Sequence, residues 1–484
     1  MLLVLCWPLS LFAGPVVLTN ADGSVTVEGE LVSFDGEFFR VDTAFGPLTL
    51  DAGNLQCSGV GCPDPVDLIA RSRVAGPAGM IHRLMPPLIE VFADREGFAF
   101  RSLFLSDSQI VWELREPATG QLVAVFEGAV QDDSDVAQGL AAGDIDIALS
   151  KTEQAAPVRQ DVIALDAVVP LVPAENPRAL VTQSQLSSLL SGRLGRWSQL
   201  DGPDLPVVVH VLDGARGPLA RWYSGRMSQD AFRYDSADAL ADAVAADPAA
   251  VGLGLFSAMG NATPLVVGGT CGLAIPATRD SIRAEDYPLT QPLFLHRLGT
   301  RQPKIVRDFI AFVRSEEAQP VIATSGYVDQ AIGRIGFERQ GDRIANAVLA
   351  AGDDDEASEA VRDMVGALLN LDRLTLTFRF QDGSSDLDAQ SASNVHRLAD
   401  VINQGEFDGK RVHFIGFTDG VGPSDGNMRL SDRRARSVRR AVAARVDTAP
   451  VDMASEGFGE VLPMACDDTA WGRQVNRRVE VWID

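Results

Sequence analysis

Apolar and polar positions follow different periods along the chain, and the changes of period divide it into segments. Residues 24–51, SVTVEGELVSFDGEFFRVDTAFGPLTLD, alternate around Asp35-Gly36, a pattern that predicts a β-hairpin. We therefore predict a small all-β module of three or four strands at 14–64 and interpret it as a packing or interaction module. Between 65 and 345 strand and helix patterns follow one another, which predicts an α/β domain.

The last part of the chain, 371–484, has a pattern of its own. Three strand patterns enclose two segments whose apolar residues recur at helical spacing. The strands are predicted at 374–380, 412–417 and 479–483. Ser431 or Asp432 is expected to cap the second helix. The pattern predicts a strand–helix–strand–helix–strand sandwich with both helices on one face of the sheet.

The two remaining segments are the N-terminus and a stretch ahead of the sandwich. The first residues, MLLVLCWPLSLFAGPVV, are apolar over about a dozen positions and end in small residues, which predicts a signal peptide at 1–13. A buried N-terminal strand is the alternative. The acidic run GDDDE at 352–356 and the small residues around it predict a surface linker at 346–370 that leads into a helix. No transmembrane segment is predicted, so the mature chain is expected to be soluble and exported.

The composition indicates an ordinary globular protein of two to four domains, with 484 residues, 46% of them apolar and 22% charged. The formal net charge of −24 argues against general nucleic-acid binding, so no nucleic-acid partner is predicted. The five histidines are scattered, and HExxH, GxSxG and GxxxxGK[ST] patterns are missing from the sequence. We therefore predict no metal site, no cofactor and no enzyme activity.

Four cysteines follow the predicted signal peptide. CSGVGC at 57–62 closes a short loop between glycines, so a Cys57–Cys62 disulfide is predicted for an oxidising compartment. Cys271 and Cys466 lie in different predicted domains. Either a disulfide between them or two buried free thiols fits the sequence.

Four phrases in the middle of the chain resemble the periplasmic phosphate-binding proteins that serve ABC transporters. They are AAGDIDIALSKTE at 141–153, LVTQSQLSSLLSGRLGRWSQL at 180–200, DYPLTQPLFLHRL at 286–298 and DFIAFVRSEEAQPVIATSGYV at 308–328. The resemblance implies that 65–345 forms two α/β lobes joined by a hinge, with a ligand cleft between them. The predicted fold class is thus α/β, with a two-lobed periplasmic-binding-protein-like domain, a C-terminal α/β sandwich and a small N-terminal all-β module.

The residues that hold an oxyanion in that family are only partly matched. The first loop, AGPAGM, keeps Gly76 but contains Pro77, which cannot donate a backbone hydrogen bond. Ser150 ends its strand, and Arg216 lies in DGARGPLARW, where the family carries hydroxyl side chains. The resemblance implies an anion site of Gly76, Ser150 and Arg216 for phosphate or another oxyanion. A strand cap and a solvated loop charge are the alternatives for Ser150 and Arg216.

Two blocks in the C-terminal sandwich resemble the peptidoglycan-binding motif of OmpA-like domains. The first contains Thr418-Asp419-Gly420, Asn427, Leu430-Ser431, Arg434-Ala435 and Val438; the second contains Gly457-Phe458-Gly459-Glu460, Pro463, Gly472-Arg473 and Asn476-Arg477-Arg478-Val479-Glu480. The resemblance spans roughly 110 residues, and both blocks have the order and spacing of the family. The resemblance implies that peptidoglycan is the ligand.

The charged residues of these two blocks fit the ligand that the resemblance implies. Diaminopimelate carries an ammonium and a carboxylate on one carbon, so its site needs an acid and a base at fixed separation. The resemblance implies that Asp419 binds the ammonium and Arg434 the carboxylate, with the helix N-terminal amides adding to the field. It further implies that Asn427 and Arg477 lie beside the stem peptide and that Thr418 supports the loop. A structural ion pair between Asp419 and Arg434 is the alternative.

Two functional hypotheses follow. In the first, an exported, non-catalytic protein of the periplasm grips peptidoglycan and associates with the outer membrane through partners. In the second, the chain is a wall-tethered solute receptor of an ABC importer, for phosphate or another oxyanion. A tethered receptor cannot diffuse to its transporter, so the sequence favours the first.

Overall fold

The structure, a computed structural model, describes most of the chain in two compact units. The described residues are 14–20, 23–34, 36–52, 55–63, 69–155, 157–176, 180–212, 227–300, 302–381, 384, 386–447, 451–468 and 470–484. The predicted signal peptide and Arg216 lie outside the described residues. The first unit contains the described residues of 1–150, 154–160 and 295–321; the second contains those of 151–153, 161–294 and 322–484.

The N-terminal module is a five-stranded antiparallel sheet, one strand larger than predicted. In spatial order its strands are Gly46–Asp51, Phe38–Thr43, Thr26–Phe34, Pro15–Asn20 and Leu55–Ser58. One face buries a small core of Val16, Leu18, Leu31, Phe39 and Val41. A disulfide between Cys57 and Cys62 closes the loop after the last strand, which confirms the prediction.

The rest of the first unit is an α/β layer. Five strands of its sheet have the order Ile147–Ser150, Ala70–Gly76, Leu122–Val130, Gln109–Arg115 and Ala99–Ser106. The first three of these strands are parallel, which buries the sheet between helices. The helices are Met85–Glu96, Asp133–Ala142 and Lys304–Val313.

The α/β part of the second unit has a sheet with the order Phe232–Tyr234, Val208–Leu212, Ala250–Leu255 and Arg159–Val172. Its helices are Gln183–Leu190, Ala237–Ala246 and Arg279–Arg283. Alternate residues of the long strand enter two separate apolar clusters, so both faces of this sheet are covered. A two-stranded parallel sheet pairs Leu180–Thr182 with Val266–Gly268.

The C-terminal part of the second unit contains a five-stranded sheet. Its order is Arg334–Ile335, Asp372–Phe378, Arg478–Ile483, Arg411–Phe417 and Asp452–Gly457. Helices Ala389–Asn403 and Ser424–Ala443 pack on one face through Val412, Phe414, Val481 and their neighbours. The strand Asp452–Gly457 and the short helix Ala470–Asn476 add to the predicted elements. The α/β fold class with an N-terminal all-β module is confirmed.

The predicted surface linker at 346–370 differs from the structure. Most of this segment belongs to two helices, Gly341–Ala351 and Asp355–Leu368. Their apolar residues pack against Ile415, Phe417 and Trp482, which point away from the face covered by the other helices. The two predicted helices do share one face, and this segment covers the second face, which the prediction left open.

The second long helix begins seven residues before the predicted cap at Ser431. It starts at Ser424, directly after Pro423, whose extended backbone ends the preceding loop. Ser431 lies inside the helix, where its hydroxyl donates to the Met428 carbonyl at 2.8 Å and accepts from the Gly459 amide at 3.0 Å. Arg434 therefore lies ten residues inside the helix and not in its first turn, where a cap at Ser431 or Asp432 would have placed it.

Among the described residues, no helix combines the length and the apolar character that crossing a membrane requires.

Candidate functional site

The residues predicted to bind peptidoglycan come from a helix and from two neighbouring strands of the C-terminal sheet. The strand residues lie at the same end of the two strands. Thr418 and Asp419 follow the strand Arg411–Phe417, and Arg477 precedes the strand Arg478–Ile483. The two strands are antiparallel, with Phe417 opposite Arg478, so Asp419 and Arg477 emerge side by side.

The helix Ser424–Ala443 brings Asn427 and Arg434 to the same site, because its backbone runs very close to the sheet. A Cβ at Gly416 would overlap the Ser431 backbone, and a Cβ at Gly457 would overlap the Asp432 amide. These two glycines set the distance between helix and strands.

Asp419 is held by Arg477. Oδ2 of Asp419 accepts a hydrogen bond from Nη1 of Arg477 at 2.9 Å, and both side chains are mostly buried. Among the residues that the structure describes, the contact that Oδ1 accepts is a long one, from the Val421 amide at 3.3 Å. One carboxylate oxygen is thus fixed by a charge-assisted bond, and the other can accept from a ligand. The resemblance implied that Arg477 lies beside the stem peptide; the structure gives it the further task of orienting Asp419.

Arg434 is half-buried and only partly satisfied. Its Nη1 atom is buried without a hydrogen-bond partner among the described residues, and its Cζ lies 5.2 Å from the ring centre of Phe380. Burial lowers the pKa of Arg434, the charge of Arg477 lowers it further, and the charge of Asp419 opposes them. The guanidinium therefore remains charged but lacks an anionic partner at this position.

Two more predicted residues carry unsatisfied polar atoms. Thr418 and Asn427 are buried, and neither the Thr418 hydroxyl nor Nδ2 of Asn427 has a hydrogen-bond partner among the described residues. The Thr418 backbone is fixed, since its amide donates to the Gly459 carbonyl at 2.8 Å. Buried polar groups are normally paired, so these unpaired atoms, like Nη1 of Arg434, call for an explanation.

Asp467 supports the loop that carries Asp419, and the sequence analysis missed it. Its Oδ2 accepts from the Gly420 amide at 2.6 Å, and its Oδ1 accepts from Nδ2 of Asn476 at 2.8 Å. Nη1 of Arg473 donates to the Asp467 carbonyl at 2.7 Å. Asp467 lies 47 residues from Gly420, so only the fold shows the contact.

A buried cluster of charges lies behind the site. Glu480 is in contact with Arg343, Arg373 and Arg478, and Arg373 also forms two hydrogen bonds with Asp286. Burial alone would raise the pKa of Glu480, but the three arginines hold it well below its usual range. Burial lowers the pKa of Arg478 to about 10. The cluster fixes the strand that follows Arg477.

Two of the three residues predicted to hold an oxyanion, Gly76 and Ser150, end neighbouring parallel strands. Ser150 is wholly buried, and its hydroxyl lies 2.8 Å from Nε2 of His296. Gly76 ends a buried strand, and a Cβ there would lie 2.6 Å from Cβ of Leu149. Because Arg216 is outside the described residues, the anion site stays a prediction.

The arrangement around Asp419 and Arg434 contains both signs of charge. Oδ2 of Asp419 is bonded to Arg477, and Nη1 of Arg434 has no hydrogen-bond partner among the described residues. Within the described parts of the chain, no group of three or more histidine, cysteine, aspartate or glutamate side chains is placed to hold a metal ion.

Two family models match different parts of the chain. The OmpA family matches residues 379–477, which contain the candidate site. A PBP superfamily domain matches residues 126–317. Both predicted resemblances are therefore confirmed.

Curated relatives match the C-terminal part of the chain. Outer membrane porin F of Pseudomonas fluorescens is 36% identical over 112 residues, which are 23% of this chain and 33% of the relative. Probable lipoprotein YiaD of Escherichia coli (strain K12) is 37% identical over 105 residues, 22% of this chain and 46% of the relative. Peptidoglycan-associated lipoprotein of Pseudomonas putida is 35% identical over 113 residues, 22% of this chain and 63% of the relative. The chain thus spans less than two thirds of the length of each.

Solved structures are similar to both matched regions. A putative phosphate ABC transporter substrate-binding protein with bound phosphate from Clostridium perfringens has 16% identity and a TM-score of 0.41, covering 54% of this chain and 99% of its own. The peptidoglycan-associated lipoprotein from Burkholderia pseudomallei has 22% identity and a TM-score of 0.21, covering 22% and 89%.

Proposed function

We propose that this chain, with an OmpA family domain at 379–477 and a PBP superfamily domain at 126–317, is a non-catalytic cell-envelope protein that binds peptidoglycan. The relatives named outer membrane porin F and peptidoglycan-associated lipoprotein support a place at the cell wall, on the periplasmic side of the outer membrane. Any outer-membrane association runs through partners.

One observation carries this proposal. Nη1 of Arg434 is buried without a hydrogen-bond partner among the described residues, and the charge of Asp419, which Arg477 holds, acts on Arg434. A permanent ion pair between Asp419 and Arg434 would have satisfied both groups, whereas the structure keeps them apart. A ligand that brings its own carboxylate and ammonium supplies both missing partners.

We assign the stem-peptide diaminopimelate to this site. Its terminal carboxylate meets Arg434, and its ammonium meets the open Oδ1 of Asp419. The Asn427 amide and the Thr418 hydroxyl satisfy further polar atoms of the stem peptide. A stem peptide with lysine at this position keeps the ammonium but lacks the carboxylate, so it should bind more weakly.

Calorimetry with two soluble stem peptides, one with diaminopimelate and one with lysine, tests this assignment. We expect the full chain to prefer diaminopimelate by roughly ten- to hundredfold, since a hydrogen bond to a charged group contributes about 1.5–3 kcal/mol. Arg434→Met should remove most of this preference. Arg440→Met changes an exposed arginine of the same helix and should leave the preference intact.

The ratio of the two dissociation constants decides the outcome. If Arg434→Met still prefers diaminopimelate as strongly as the unchanged chain does, Arg434 does not bind the carboxylate.

The PBP-like region receives a structural or partner-binding role in this proposal. Ser150 is buried against His296, and Pro77 lies in the loop that would need backbone donors for an anion. These observations support the anchor over the alternative, a wall-tethered solute receptor of an ABC importer.

A further inference from the structure

The loop 269–272 of the PBP-like region is joined to the segment 464–468 of the OmpA-like region. Cys271 and Cys466 form a disulfide between positions 195 residues apart. The Cys271 amide donates to Sγ of Cys466 at 3.1 Å, and the Thr270 hydroxyl donates to Oδ2 of Asp468 at 2.6 Å. These contacts settle the alternatives left open by the sequence in favour of the disulfide.

Close packing accompanies these bonds. A Cβ at Gly269 would overlap Sγ of Cys466, so the loop can approach the disulfide this closely only with a glycine at position 269. Beside it, Ile275 packs against a small buried cluster of Met464, Ala465 and Val475. The two regions are thus held by covalent, polar and apolar contacts at one place.

The same segment holds the loop of the candidate site. Asp467 directly follows the disulfide cysteine and accepts the Gly420 amide proton at 2.6 Å. A Cβ at Gly420 would lie 2.8 Å from Oδ2 of Asp467, so this approach is also close. The contacts therefore form a continuous chain from Cys271 through Cys466 and Asp467 to Gly420, the neighbour of Asp419.

We infer that the loop 269–272 is a structural part of the peptidoglycan site and that Asp467 is a positioning residue, which holds Gly420 and thereby Asp419 in the binding geometry. The inference rests on the proposed function. It gives the PBP-like region a task in peptidoglycan binding that needs no ligand of its own.

The physical reason is the cost of ordering the loop. Asp419 is fixed on one side by Arg477 and on the other through Gly420 and Asp467. If the segment 464–468 loses its tether, the loop gains conformations, and a ligand must pay for removing them on binding. The expected result is weaker binding with unchanged preference for diaminopimelate.

The test compares two disulfides in the full chain. The double variant Cys271→Ser/Cys466→Ser should raise the dissociation constant of the diaminopimelate stem peptide about tenfold. This corresponds to the conformational entropy lost when roughly one more residue is ordered on binding. The control pair Cys57→Ser/Cys62→Ser removes the disulfide of the N-terminal module and should change the constant less than twofold. Unchanged affinity in the Cys271/Cys466 pair overturns the inference.

Two Asp467 variants separate positioning from folding. Asp467→Ala should weaken binding about tenfold, the value of one charge-assisted hydrogen bond. Asp467→Asn should restore part of the loss, because its amide oxygen still accepts from Gly420 while its NH2 group cannot accept from Nδ2 of Asn476. Equal losses in both variants contradict the assignment.

Hydrogen exchange at the Gly420 amide gives a readout that needs no ligand. Protection of the Gly420 amide against exchange should fall in Asp467→Ala and in the Cys271→Ser/Cys466→Ser double variant. It should be unchanged in the Cys57→Ser/Cys62→Ser control. If the unchanged chain fails to bind the peptide, the proposed function fails, and the exchange data still decide whether the tether positions the loop.

Discussion

At the scale of residues, the site depends on which charges are paired and which are left unpaired. Asp419 is neutralised by Arg477, while Arg434 faces the positive charge of Arg477 and the ring of Phe380. The lowered pKa of Arg434 records the cost of that environment. A carboxylate bound beside Arg434 would offset this cost through a charge-assisted hydrogen bond.

A buried glutamate in the second unit predicts how stability changes with pH. Burial raises the pKa of Glu285 to about 8, although the charge of Arg379 acts against the shift. Between about pH 4.5 and pH 8 the folded chain keeps a proton that the unfolded chain releases, so the free energy of unfolding falls as pH rises. Glu285→Gln should reduce this fall by a few kcal/mol, because one pKa unit corresponds to about 1.4 kcal/mol.

Urea unfolding at pH 5 and pH 8 measures the effect. Glu359→Gln, an exposed glutamate in the helix Asp355–Leu368, is the matched control and should behave like the unchanged chain. The same pH dependence in Glu285→Gln and in the unchanged chain would contradict the raised pKa.

Residue types and spacing predicted much of the site but not its internal partners. The motif identifies Asp419, Asn427 and Arg434, because these types recur in the family at the same spacing. Asp467 could not be found in this way, since its role depends on a contact with a backbone amide 47 residues away. The pairing of Asp419 with Arg477 likewise depends on the antiparallel register of two strands.

At the scale of elements, the helix Ser424–Ala443 shows how packing overrides local signals. Gly422, Pro423 and Gly426 indicated a loop, and Ser431 resembled a cap. The helix begins earlier because the sheet covers its inner face, where Asn427, Ser431 and Ala435 are buried. Arg434 therefore lies roughly 15 Å along the axis from the helix start, so the first-turn amides act at a distance from it.

The close approach of this helix to the sheet gives an element-scale prediction. Gly457→Ala places a Cβ on the Asp432 amide and should destabilise the chain by about 1–3 kcal/mol through overpacking. Gly366→Ala is the matched control: it lies inside the helix Asp355–Leu368 with open space around it and should be neutral or stabilising by up to about 1 kcal/mol. Equal unfolding midpoints in urea for the two variants would contradict the packing argument.

The prediction of a surface linker at 346–370 was wrong for a related reason. Its acidic residues and alanines look solvated, yet Val361, Met364 and Leu368 recur at helical spacing and are buried. The need to cover the second face of the sheet is visible only once Phe417 and Trp482 are known to point there.

At the scale of the whole molecule, the OmpA-like region is part of a larger unit. The second unit includes residues from both family matches, joined by the Cys271–Cys466 disulfide and by the buried Arg373–Asp286 pair. Sequence patterns predicted the two folds separately. Their association depends on long-range contacts that no local pattern encodes.

Peptidoglycan binding by the full chain is the central claim, and co-sedimentation with purified sacculi tests it most directly. The unchanged chain and Arg440→Ala should sediment with the sacculi, whereas Asp419→Ala and Arg434→Ala should remain in the supernatant. Sedimentation of both site variants to the same extent as the unchanged chain would contradict the account.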